Sequence, residues 1–79
     1  MTNLEKFNHA FVEVFNIQDT ILDDSFSKDT IDQWDSVHQL NIIAIIEEVF
    51  DIMFEPEDIM EFTSYKAGKD IMVKYNIEL

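Results

Sequence analysis

Apolar residues in the first fifteen positions recur at intervals of three and four. Leu4, Phe7, Phe11, Val14 and Phe15 fall on one stripe, and Glu5, Lys6, Asn8 and Glu13 lie outside it. That period predicts a helix over about 3–15, and Thr2 with Glu5 has capping-box spacing at its start. From Ile17 to Asp35 the period fades and Asp, Ser and Thr take over. A long loop is expected there, pinned by Ile17, Ile21, Leu22, Phe26 and Ile31; long ordered loops in small proteins tend to be functional. A second helix is expected from Ser36, taken as an N-cap residue type following an acid, to about Phe50. Pro56 suits the first turn of a short third helix through about Phe62. Thr63 or Ser64 then caps a fourth that ends near Tyr75 and buries Tyr65, Ile71, Met72 and Tyr75. With one Gly and one Pro there are few other places to turn. The expected fold class is all-α, four helices in one domain spanning residues 1–79.

On a wheel of 100° per residue, Ile42, Ile46, Val49, Phe50 and Met53 cluster on one side of the second helix, with Ile43 beside them. That side is expected to be core. The opposite stripe holds Val37, Asn41, Ala44, Glu48 and Asp51, apolar near its start and acidic further along. Such a strip suits a docking surface, although a lone exposed Val is also common.

Charge sharpens this picture. The 79 residues include five Lys, no Arg and 17 acids, a formal net charge of −12. A polyanion repels phosphate backbones and anionic lipid surfaces, so no nucleic acid and no membrane insertion is expected, and the natural partner is a basic surface. Residues 19–35 carry six Asp, residues 47–61 carry seven acids, and residues 36–46 between them carry no formal charge. Apolar residues make up 47% of the chain, ten of them aromatic, which argues for a folded protein despite the charge. There is no Cys, so disulfides and thiolate metal sites are excluded and any thiol chemistry must be imported. The longest apolar run is the five residues Ile42 to Ile46, far short of a membrane span, and a cytoplasmic monomer is expected.

Ser36 is the residue with the most chemical promise. Free backbone N–H groups and the positive end of the helix dipole favour a phosphate held at a helix start; for an arbitrary Ser before a helix, an ordinary N-cap is the better explanation. The context adds to this. Asp35-Ser36-Val37 followed by an Ile-rich helix ending Glu47-Glu48-Val49-Phe50 resembles the acyl carrier protein family, close to its Asp-Ser-Leu motif. Asp51-Ile52-Met53-Phe54-Glu55-Pro56-Glu57-Asp58 looks like the family's second loop and short third helix, and Phe62-Thr63 resembles the junction before its last helix. The resemblance covers essentially the whole chain and implies an acyl-carrier-like four-helix bundle.

What the resemblance implies is that Ser36 accepts 4′-phosphopantetheine from coenzyme A through a separate Mg²⁺-dependent phosphopantetheinyl transferase. The protein is then a substrate and carrier, not an enzyme, presenting acyl or aminoacyl thioesters to loading and transferring enzymes with basic docking surfaces. By the same resemblance, Val37, Glu47 and Glu48 are recognition residues, and Asp35 positions or marks the Ser36 segment, a role compatible with plain helix-N-terminal electrostatics. An unmodified acidic docking module with the same fold is the alternative. Gln33 and Trp34 stand where fatty-acid members of the family have a Gly and a small residue, and His38 and Asn41 stand where they tend to carry acids, which favours a specialised pathway. Trp34 has a second reading, as a plug packed into the core.

Other chemistries fit poorly. His38 lies two residues from Ser36, roughly 200° around a helix, so a Ser-His-Asp hydrolase is not expected. His9 and His38 are expected at the surface, and no metal site is expected. The acidic loop fails as a calcium loop, because Lys28 and Trp34 occupy the Gly and Glu positions counted from Asp23.

Overall fold

A computed structural model describes all 79 residues, as four α-helices without a strand: α1 (Asn3–Phe15), α2 (Ser36–Phe50), α3 (Pro56–Glu61) and α4 (Tyr65–Lys74). The capping box at the start of α1 forms as the spacing predicts. Thr2 Oγ1 accepts from Glu5 N at 3.1 Å, and Glu5 Oε1 accepts from Thr2 N at 3.0 Å. Asn16 ends α1 and Asp51 ends α2 in the left-handed conformation, one that Asn and Asp tolerate better than most residues. Pro56 sits in the first turn of α3, and Ser64 caps α4 by accepting from Ala67 N at 2.9 Å. No helix is long and apolar enough to cross a membrane.

Most of the core is aromatic. Phe11 is its hub, edge-on to Phe7, Phe26, Trp34 and Tyr65, and stacked against Phe15 and Phe62 at ring separations of 6.1 Å each. Such offset and edge contacts add to area burial. From α2 the core takes Ile42, Ile43 and Ile46, with Ile45 and Phe50 packed at its edge. Val49 and Met53, expected on this buried side, are instead exposed. The helix stops at Phe50, and left-handed Asp51 breaks the helical phase before Met53 is reached. In α1, Phe7, Phe11 and Phe15 are buried while Leu4 is exposed; in α4, Tyr65, Ile71 and Met72 are buried and Tyr75 half-buried.

The 17–35 segment is ordered by a few anchors. A 3-10 turn covers Asp19–Ile21, and Phe26 enters the core. Ile17, Leu22 and Ile31 pack at the core edge, whereas Ile21 stays exposed. Backbone bonds from Lys28 N to Thr63 O at 2.8 Å and from Tyr65 N to Phe26 O at 2.9 Å fasten the loop to the α3–α4 junction. The loop therefore delivers the chain to the start of α2 from a fixed direction.

Candidate functional site

The start of α2 is capped by Asp35, not by Ser36. Asp35 has extended backbone angles, and its Oδ1 accepts from His38 N at 2.9 Å; Ser36 is the first helical residue. Two cap-forming residues stand side by side here, and the carboxylate takes the role because its oxygen reaches the N–H three residues on. Ser36 is exposed, and none of the hydrogen bonds around this turn engages its hydroxyl. The Gln39 N–H is already given to the Asp35 carbonyl. The hydroxyl thus projects from a capped first turn with the helix dipole's positive end behind it.

Asp35 has a second partner. His38 Nδ1 lies 2.8 Å from the same Oδ1, and a carboxylate can only accept, so Nδ1 carries the proton of this bond. The backbone N–H of His38 first, and its ring second, hold the Asp35 carboxyl below its ordinary range. His38 is half-buried, and its ring stacks on Phe15 at 5.4 Å and 21°. The expectation of a plain surface His at 38 is corrected on this point, whereas His9 is exposed.

Trp34 is 97% shielded and fills the core beside Phe11, Phe15 and Phe26, matching its reading as a plug. Its indole Nε1 donates to Gln39 Oε1, and Gln39 Nε2 donates to the carbonyls of Ile59 at 2.9 Å and Phe62 at 2.7 Å. Gln39 therefore ties the residues before Ser36 to the end of α3. A Gln one turn into a helix gives no sequence signal for this role.

Val37, Asn41, Ala44, Glu48 and Asp51 are all exposed, so the predicted strip is one open face. Leu40, which the sequence reading did not single out, is 64% exposed and joins Val37 at 61%. Met60 on α3 and Met53 before it are also exposed. Glu47 differs from its neighbours. It is half-buried, and its Oε2 accepts from Phe54 N at 2.8 Å, closing the α2–α3 turn.

Elsewhere, Asp58 on α3 is buried and accepts from Lys74 Nζ and Tyr75 Oη. A cleft of about 500 Å³ lies between α1 and residues 17–20 and is lined by Glu5, Asn8, His9, Gln18 and Asp19 among others. None of the predicted site residues lines it. No three His, Asp or Glu residues gather in an arrangement that could hold a metal ion. No family model, curated protein or solved structure matches the chain.

Proposed function

We propose that this protein is an acyl carrier, holding acyl or aminoacyl groups on a 4′-phosphopantetheine arm attached to Ser36. The observation that carries the reading is the exposed, unengaged hydroxyl of Ser36 at the first position of α2. The four helices, the long anchored loop before the serine and the short α3 are compatible with an acyl-carrier-like bundle.

The residues at this end of α2 fit the group. A phosphodiester on Ser36 would lie beside the first-turn N–H of Ser36, which no side chain claims, within reach of the helix dipole. In the attachment reaction, Ser36 Oγ forms the bond to the pantetheine-side phosphorus of coenzyme A as the pyrophosphate P–O bond breaks. Adenosine 3′,5′-bisphosphate leaves, and the hydroxyl proton passes to a base on the transferase. No base of the chain is hydrogen-bonded to this hydroxyl: Asp35 and His38 are engaged with each other, and none of their bonds reaches Ser36 Oγ. When bound, the arm supplies a thiol that this Cys-free chain lacks, on which cargo is held as an activated thioester.

Around Ser36, Val37 and Leu40 form an apolar spot, and Glu48 and Asp51 continue the same face with negative charge. Partners with an apolar depression and a basic rim fit this face, through contacts that are fast to form and sensitive to salt. Glu47, whose carboxylate closes the α2–α3 turn by accepting from Phe54 N, contributes less to that rim. A specialised pathway rests on Gln33, His38 and Asn41, since Trp34 is accounted for by packing.

The test is intact mass after incubation with coenzyme A, Mg²⁺ and a broad-specificity phosphopantetheinyl transferase. A carrier gains one phosphopantetheine and Ser36→Ala gains nothing. An unmodified docking module, the second reading that the open α2 face allows, keeps its mass in both forms.

A further inference from the structure

We infer that His38 is a positioning residue for the modification of Ser36, holding the Asp35 carboxylate on the side of α2 away from the serine hydroxyl; this rests on the carrier reading above. An anionic phosphoryl donor approaching Ser36 meets a helix start that is capped by a carboxylate, a like charge on the adjacent residue. Where that charge sits decides whether the donor meets the helix dipole or a repulsion. His38 is the third residue of the helix and Ser36 the first, so the two point about 200° apart. Both bonds from His38, one from its backbone N–H at 2.9 Å and one from ring Nδ1 at 2.8 Å, converge on Asp35 Oδ1. They draw the carboxylate toward the His38 side and share its charge with two donors.

The ring is held as well. It stacks on Phe15, a core residue at the end of α1 that is 1% exposed, so the imidazole cannot swing freely and its Nδ1 stays aimed at Asp35. A capping box would have the third residue reach back to the cap's backbone N–H. Here that N–H is given to the Gln33 carbonyl, and the side chain of the third residue binds the cap's carboxylate instead.

The experiment compares His38→Asn, whose amide nitrogen occupies the place of Nδ1, with His38→Gln, whose amide nitrogen occupies the place of Nε2. Each is assayed for phosphopantetheine transfer from coenzyme A by the same transferase at low and high salt. One lost hydrogen bond to a charged group predicts that His38→Gln and His38→Ala lower kcat/KM about tenfold, while His38→Asn stays within about threefold of the parent. Raising salt should shrink the deficit of Gln and Ala, because screening weakens a like-charge repulsion; a merely structural defect would not respond so. An independent readout needs no transferase. The ¹⁵N spectrum of the apo protein at high pH should show His38 as the Nδ1–H tautomer, and Asp35→Ala should move it toward Nε2–H.

Equal rates for Gln, Asn and parent, a salt-independent deficit, or an Nε2–H tautomer in the parent would each overturn the inference while leaving a modified carrier intact. Failure of the parent itself to gain mass would overturn the carrier reading and the inference with it. Far-UV circular dichroism and thermal midpoints of the three variants separate loss of fold from loss of positioning.

Discussion

Trp34 and Gln39 are joined by a hydrogen bond from indole Nε1 to amide Oε1 at 2.6 Å, across the turn that contains Ser36. The same amide holds two carbonyls at the end of α3 through Nε2. One neutral side chain therefore locks the candidate attachment turn to both the core and α3. Replacing Gln39 by Leu leaves a core indole N–H and the Phe62 carbonyl without a partner, while the Ile59 carbonyl keeps the Phe62 N–H. Unpaired groups of this kind cost about 1–3 kcal/mol each when fully buried, and a net loss of roughly 2–3 kcal/mol is expected here, where the site is part-buried. Urea denaturation of Gln39→Leu against the parent checks it.

Gly68 lies in α4 where a methyl group would meet the ring of Phe62 at 2.6 Å. Ala favours a helix over Gly by about 1 kcal/mol. Phe62 is wholly buried and wedged between Phe7, Phe11, Phe54 and Trp34, so the ring has nowhere to retreat. Overpacking of this kind costs roughly 1–3 kcal/mol. Gly68→Ala is thus expected to melt below the parent, against the helix-propensity trend; a higher midpoint would show that the core yields.

Ser64 is both the cap of α4 and the partner of Ser27 in the bridge that fastens the long loop. Ser64→Ala removes the Oγ bond to Ala67 N and keeps the backbone bridge. A loss of about 0.5–2 kcal/mol is expected in chemical denaturation.

Asp58 sets the acid limb of stability. Bonds from Lys74 and then Tyr75 hold its carboxyl below the usual aspartate range in the folded state. The unfolded chain consequently binds its proton at a higher pH than the native one does. Stability from this group is complete above about pH 4, the ordinary aspartate value, and is lost as pH falls through the lower folded value. The same cluster raises Lys74 and Tyr75, so their contribution is complete below about pH 10 and is lost as pH rises through the folded values. Asp58→Asn should be less stable than the parent at neutral pH, with the gap closing below pH 4. Unfolding free energies measured between pH 7 and pH 2 check both the sign and the window.

Val37 and Leu40 are the open apolar pair beside Ser36. Leu40→Ser is expected to leave stability within about 0.5 kcal/mol, as for a surface site. It should raise KM for the protein substrate in the transferase assay and leave kcat near the parent value. A parallel fall in stability would place Leu40 in the fold instead.

Much of the fold was legible because its signals are local. Period-three-and-four spacing located α1 and α2 at their observed ends, and Thr2, Pro56 and Ser64 carry start signals that need no tertiary contact. What failed needed neighbours. Asp35 and Ser36 are both cap formers, and only the reach of a carboxylate to His38 N decides between them. A helical wheel put Met53 in the core because it continues the helix past Asp51, where the backbone turns left-handed. The burial of Asp58 depends on Lys74, sixteen residues away, and the anchoring of His38 depends on Phe15 at the end of another helix. At the candidate site, the exposed strip from Val37 to Asp51 was readable from spacing, whereas the fastening of Glu47 to Phe54 N and of Gln39 to α3 was not.

The most direct measurement is fragment-ion mapping of the protein after reaction with coenzyme A and transferase. One phosphopantetheine is expected, located on Ser36 within the peptide that spans the start of α2. An arm found on another side chain, or a Ser36 peptide that stays unmodified while a known carrier in the same tube is converted, would contradict it.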